Sequence, residues 1–178
     1  IASLAKPTDY YIDFTFKQTM LQLEQWWKPA AAEGKLTASS PAAAQFILKN
    51  VSTAQLLKMP RNRGVYNALL TRSGVPMDVR KESLEALAKM DNKDSAALLI
   101  ETLDALDSGS IPDASEALES LGKLFSGQTA DILRKQLSLL KKMSTQSRTT
   151  GMRSLGYASW MKAEGSPDAA WAEASKDS

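Results

Sequence analysis

The sequence predicts an all-α fold built from stacked helical hairpins, and three observations carry that prediction. Almost every segment longer than about eight residues places its apolar side chains at helical spacing. Alternating Val, Ile and Thr patterns of the kind that form strands are missing. The third observation is a self-match at a period of 34 residues in the second half of the chain: Leu84, Leu87 and Ala88 recur as Leu118, Leu121 and Gly122, then as Met152, Leu155 and Gly156. The following helix repeats as well, with Leu98, Leu99, Leu103 and Leu106 returning as Ile132, Leu133, Leu137 and Leu140. Two helices per repeat with the same apolar positions describe a solenoid, in which each hairpin covers the apolar face of its neighbour.

Taken in order, a first helix is predicted from about Asp9 to Trp27. Ile12, Phe16, Met20, Leu23 and Trp27 form one apolar stripe along it, and Asp13 with Lys17 and Glu24 with Lys28 pair at i,i+4 on the other side. Pro29, Gly34 and the Ser39-Ser40-Pro41 start signal bracket a short helical turn and then a second helix ending near Lys49. Further helix starts are predicted at Ser52, at Pro60, near Pro76-Met77-Asp78, and at Pro112-Asp113. At 178 residues the chain suits one domain, which buries roughly 70% of its unfolded surface. Residues 1–59, where the period blurs, are read as atypical N-terminal cap helices; residues 60–178 are read as the stacked hairpins.

A period of 34 residues also belongs to tetratricopeptide repeats, and Leu121, Gly122 and Phe125 imitate part of that pattern. The second helix decides against it. Where close packing there needs small or aromatic residues, this chain offers Arg134, Ser138 and Lys141. A looser HEAT-like pairing fits better.

Composition excludes several function classes. With no His and no Cys there is no imidazole base, no Ser-His-Asp or Cys-His nucleophile system, no thiolate, no disulfide, and no zinc, haem or iron–sulfur site of the ordinary kinds. The segment is therefore read as non-catalytic and without a cofactor of its own. No apolar run is long enough to cross a bilayer, so no membrane insertion is expected. A chain that opens on Ile1 reads as a piece of a longer polypeptide.

Formal net charge is only +2, yet the charges are segregated. Gly34 to Met77 holds six basic residues and no acid, Asp91 to Glu119 eight acids and one Lys, and Lys123 to Lys162 eight basic residues and one Asp. Shifting the chain by one repeat sets Glu101 against Lys135, Asp107 against Lys141 and Glu119 against Arg153, which predicts a ladder of ion pairs between adjacent hairpins. The first basic block has no acidic counterpart under that shift. Arg61 and Arg63, just after Pro60, add positive charge at a helix start whose dipole is already positive, so something should compensate. Lys58, Arg61 and Arg63 are the candidate binding residues, forming an anion or acidic-partner site with the free N–H groups of the helix start. The alternatives are a solvated surface or a salt bridge to Asp9, Asp13 or a neighbouring domain. Nucleic acid is not expected, because the acidic central block weakens the field and the apolar stripe accounts for Trp27. Ser3-Leu-Ala-Lys6 and Ser120-Leu-Gly-Lys123 spell the Ser-x-x-Lys pattern of acyl enzymes without its companion motifs, and chance explains both. Asn50-Val-Ser52 spells a glycosylation site, but Ser52 reads better as a helix N-cap.

The segment DYYIDFTFKQTMLQLEQWWKPAAAEGKL from Asp9 to Leu36 resembles the start of the helical-repeat region in the very large membrane-bound dehydrogenase and haem-binding family of planctomycetes and verrucomicrobia. STAQLLKMPRNRGVYNALLTRSGVP, from Ser52 to Pro76, is similar to the next part of that region, and Gly165-Ser166-Pro167-Asp168-Ala169-Ala170-Trp171 to a later hairpin. The resemblance implies a propeller-type sugar-dehydrogenase domain before the helical repeats and a c-type haem domain with Cys-x-x-Cys-His after them. Haem c would lie elsewhere in the full-length protein, since this segment lacks both residue types. It also implies that the segment is a scaffold or docking surface, that its partners are the flanking domains or another protein, and that the whole is exported to the bacterial cell envelope or periplasm. No catalytic or cofactor-binding residue carries over to this segment.

Overall fold

The computed structural model describes residues 9–32, 47–109 and 114–177. All regular structure among the described residues is helical. The chain divides into two compact units, Ile1–Leu70 and Thr71–Ser178.

In the first unit, α1 (Tyr10–Gln22) and α2 (Glu24–Ala32) replace the single helix that the apolar stripe predicts. Asp9 caps α1 by accepting from the Ile12 N–H, and the break falls at Leu23. The Trp27 indole N–H donates to the Met20 carbonyl at 2.8 Å, taking the acceptor that an uninterrupted helix would offer to the residue-24 amide. The stripe therefore bends instead of burying as one face. No α1 side chain is buried; Ile12 and Leu23 are exposed, while Phe16, Met20 and Trp27 are half-buried. Glu24 and Lys28 pair as expected, and α2 continues through Pro29 instead of ending there. Gly34 and Ser39 to Pro41 lie outside the described residues.

A helical turn at 47–50 leads to α3 (Thr53–Lys58) and α4 (Arg63–Thr71). Ser52 caps α3 through a reciprocal box with Gln55, as its position before the helix predicts. The next helix starts at Arg63 and not at Pro60, because the Asn62 side chain accepts from the Val65 N–H at 3.0 Å and supplies a strong cap two residues further on. Among the described residues of this unit, Leu48, Val51, Leu56, Val65, Leu69 and Leu70 are the buried apolar ones.

The second unit contains α5 (Met77–Met90), α6 (Ser95–Asp107), α7 (Ser115–Ser126), α8 (Ala130–Arg134), α9 (Leu137–Gln146), α10 (Thr150–Glu164) and α11 (Asp168–Ala174), closed by a 3-10 turn at Ser175–Asp177. The Met77 start agrees with the sequence signal, whereas Pro112-Asp113 lies outside the described residues. Asp94 and Thr149 cap α6 and α10 with their side chains. Gly165, left-handed at φ 74°, ends α10, and Pro167 precedes α11. The helical stretch after Thr129 is interrupted: α8 closes with an i→i−3 bond from the Gln136 N–H to the Leu133 carbonyl before α9 begins.

In this unit α5 packs on α6, α6 on α7, α9 on α10 and α10 on α11, while α8 packs mainly on α10 and also meets α9; α6 also packs on α9 and α7 on α10. Leu84, Leu87, Ala88, Leu99, Leu103, Leu106, Leu121, Leu133, Leu140, Met152 and Gly156 are all buried. Their equivalents Leu98, Leu118, Gly122, Leu137 and Leu155 are half-buried, and Ile132 is exposed. Arg134, Ser138 and Lys141, judged unfit for a close helix contact, are all exposed. The close contact lies instead at Gly156, where an added Cβ would stand 2.6 Å from the Ser144 backbone nitrogen and 2.8 Å from its Cα. Here α10 crosses the end of α9 with backbone almost on backbone.

The expected charge ladder does not form. Glu101 pairs with Lys93 at 2.7 Å, Glu119 with Lys123 at 2.7 Å, and Lys141 approaches Glu164 at 3.8 Å. Arg153 donates to the carbonyls of Ser147 and Arg148 at the end of α9. Local partners at short sequence distance win over those a full repeat away, because they need less chain ordering for the same exposed pair. Asp107 is not on the surface at all. It is 2% exposed and accepts from the Arg148 N–H at 2.6 Å, from the Thr149 N–H at 3.1 Å and from the Thr149 hydroxyl.

A second polar clamp joins α5 and α7. Fully buried Arg80 donates to Glu116 at 2.8 Å, and the same carboxylate accepts from the Gly74 N–H at 2.7 Å and from the Ser120 hydroxyl at 2.9 Å. Partial burial pushes the Glu116 carboxyl up, but the Gly74, Ser120 and Arg80 donors outweigh it and hold the group below its ordinary value of 4.5. A carboxyl lowered on folding contributes stability above its unfolded value, and that contribution disappears as the pH falls through the folded one. Denaturation midpoints of the wild type and Glu116→Gln are expected to be separated above pH 4.5 and to converge below it; parallel pH curves would show that the clamp adds nothing. No helix among the described residues is long and apolar enough to cross a membrane.

Candidate functional site

The three basic residues singled out by sequence lie on consecutive turns of chain in the first unit, and all are exposed. Lys58 is the last residue of α3, Arg61 lies in the link, and Arg63 opens α4. The Arg61 guanidinium folds back onto the end of α3, donating to the carbonyls of Leu57 at 3.1 Å and Met59 at 3.3 Å. A cation at this position complements the negative end of the α3 dipole and satisfies carbonyls that lack partners within the helix. A helix beginning at Pro60 would put the Arg61 charge at an unfavourable helix start; the later start at Arg63 puts it at a helix end, where it is favourable. Arg63 alone stands in the first turn, and Asn62 supplies that turn's side-chain cap.

A second feature, missed by sequence reasoning, lies within the second unit. A groove of about 610 Å³ runs between α9 and α11. Lys141, Lys142, Thr145 and Gln146 line one wall, Ala169, Ala172, Glu173 and Lys176 the other, and Trp160 of α10 contributes its floor. The Trp160 ring is 4% exposed, stacks on Tyr157 at 6.1 Å and carries the Lys141 ammonium 4.8 Å from its centroid. Lys176 is held by Glu173 at 2.6 Å. Lys142 makes no ion pair or side-chain hydrogen bond among the described residues. The one signal for this groove in the sequence is the Lys141-Lys142 pair followed a repeat later by Lys176; of these the expected ladder paired only Lys141, with Asp107.

This arrangement offers positive charge, a covered aromatic and small exposed methyl groups. No protein-family model, curated protein or solved structure matches the chain. Among the described residues no group of three or more carboxylates is placed to hold a metal ion.

Proposed function

We propose that this chain is a non-catalytic, HEAT-like helical-repeat domain that acts as a scaffold or protein-interaction surface. The observation that supports this reading is how the hairpins of the second unit are locked to one another. The 34-residue repeat of apolar positions supplies the apolar contact, and two polar clamps, each joining residues 36 to 42 apart, Arg80 with Glu116 and Asp107 with Arg148 and Thr149, fix its register. Polar groups so placed favour one arrangement of helices over sliding alternatives, which a spacer needs and a deformable domain does not. In the setting that the family resemblance suggests, the domain joins a propeller-type dehydrogenase to a c-type haem domain in an exported bacterial protein. Electron transfer and substrate oxidation then belong to those neighbours.

Lysine-directed cross-linking of the full-length protein from its native host, read by mass spectrometry, tests the scaffold role. Links are expected from the exposed lysines of this segment to flanking domains or to a second protein, and links confined to the segment itself would overturn the reading. An absorption spectrum of the same preparation tests the setting: a Soret band is expected in the full-length protein and not in residues 1–178 alone.

A further inference from the structure

We infer that the groove between α9 and α11 is the docking site for an acidic peptide segment of the partner. The inference deepens the scaffold reading and rests on it. Three ammonium groups, from Lys141, Lys142 and Lys176, face a lining that contains one carboxylate, Glu173. Lys176 is held by Glu173 and Lys141 lies over Trp160 within 3.8 Å of Glu164, whereas Lys142 makes no ion pair or side-chain hydrogen bond among the described residues. An exposed ammonium beside two further lysines is a ready donor to a carboxylate, and lysine serves it as a point charge without the planar geometry that arginine imposes.

The aromatic chemistry separates a peptide from a nucleic acid. Single-stranded nucleic acid is gripped by open aromatic faces on which bases stack. The Trp160 ring is already stacked on Tyr157, covered by Lys141 and nearly inaccessible, so it has no face to offer a base. The accessible apolar groups are the methyls of Ala169 and Ala172, which suit a small aliphatic side chain between two carboxylates. The volume of about 610 Å³ is within the range of ligand clefts and accommodates a few residues of extended or helical chain.

The test titrates the whole chain with a blocked peptide alternating Glu and Leu, with the same peptide carrying Gln for Glu, with oligothymidylate and with phosphatidylserine vesicles. The Glu peptide is expected to bind more tightly than the other three and to lose affinity as salt is added. Lys142→Glu and Lys176→Glu should each weaken it about three- to tenfold, as reversal of an exposed charge at a contact does. Lys123→Glu, at an exposed lysine of α7 outside the groove, should leave it unchanged. Equal binding of the Gln peptide, tighter binding of the oligonucleotide or vesicles, or equal loss with Lys123→Glu would overturn the assignment. Cross-links to a partner with no peptide binding in the groove would remove this proposal and keep the scaffold reading; groove binding with no partner cross-links would do the reverse.

Discussion

Gly156→Ala is expected to destabilise the second unit by about 3 kcal/mol, the upper part of the range for forcing an extra carbon into a closed contact. The new methyl would meet the Ser144 nitrogen at 2.6 Å, its Cα at 2.8 Å and the Met143 carbonyl carbon at 3.0 Å, all of them backbone atoms that cannot rotate away. Relief requires α10 to move off α9, which disturbs the buried Met143, Met152 and Trp160 together. The comparison that makes the result specific is Gly122→Ala, at the equivalent position one repeat earlier. A Cβ there meets only the Leu155 Cδ2 at 3.8 Å, an ordinary contact, so the change should gain up to about 1 kcal/mol from helix propensity. Urea denaturation of the two variants should move in opposite directions. Equal losses would mean that the glycines serve the helices themselves and not the crossing.

This pair of glycines also marks what the sequence could and could not convey. Periodicity shows that Ala88, Gly122 and Gly156 share one small-residue position of the repeat, because burial imposes the same spacing on each hairpin. It cannot show which of the three touches backbone, since that depends on how far α9 extends after the interruption at Lys135 and Gln136, and no proline or glycine announces that interruption. The leucines of the second half were legible for the same reason of spacing. The break at Leu23 was not, because it depends on an indole seven residues away from the carbonyl it takes. The groove was barely legible, since the lysine spacing does not say that Lys142 and Lys176 line one cleft once α9 and α11 are folded.

Charge tells a different story, because pairing by repeat shift treats every acid as a surface residue. Asp107 carried a warning that this was wrong for it: it is the last residue of α6, where a carboxylate faces the negative end of the helix dipole and needs compensation. The same reasoning applied to Arg61 and Arg63 in the first unit, and there the structure supplies the compensation by moving Arg61 to a helix end. For Asp107 the compensation is the backbone of Arg148 and Thr149, which turns a dipole penalty into the lock between α6 and the start of α10.

Asp107→Ala is therefore expected to cost about 2 kcal/mol, because it leaves two part-buried backbone N–H groups and one part-buried hydroxyl without their acceptor, less the few tenths recovered from the helix dipole. Asp107→Asn should cost about half as much, since one amide oxygen still accepts while the NH2 group faces donors. Arg148 adds a second tie, its guanidinium Nε donating to the Asp107 carbonyl at 2.8 Å, so the turn should loosen without coming free of α6 altogether. Hydrogen exchange separates this local effect from general unfolding. The amides of Arg148 and Thr149 should exchange slowly in the wild type and rapidly in Asp107→Ala, while those of α5 change only by the global loss. If both amides keep their protection in the alanine variant, the carboxylate is not what holds α6 to the start of α10, and the apolar contacts alone must do so.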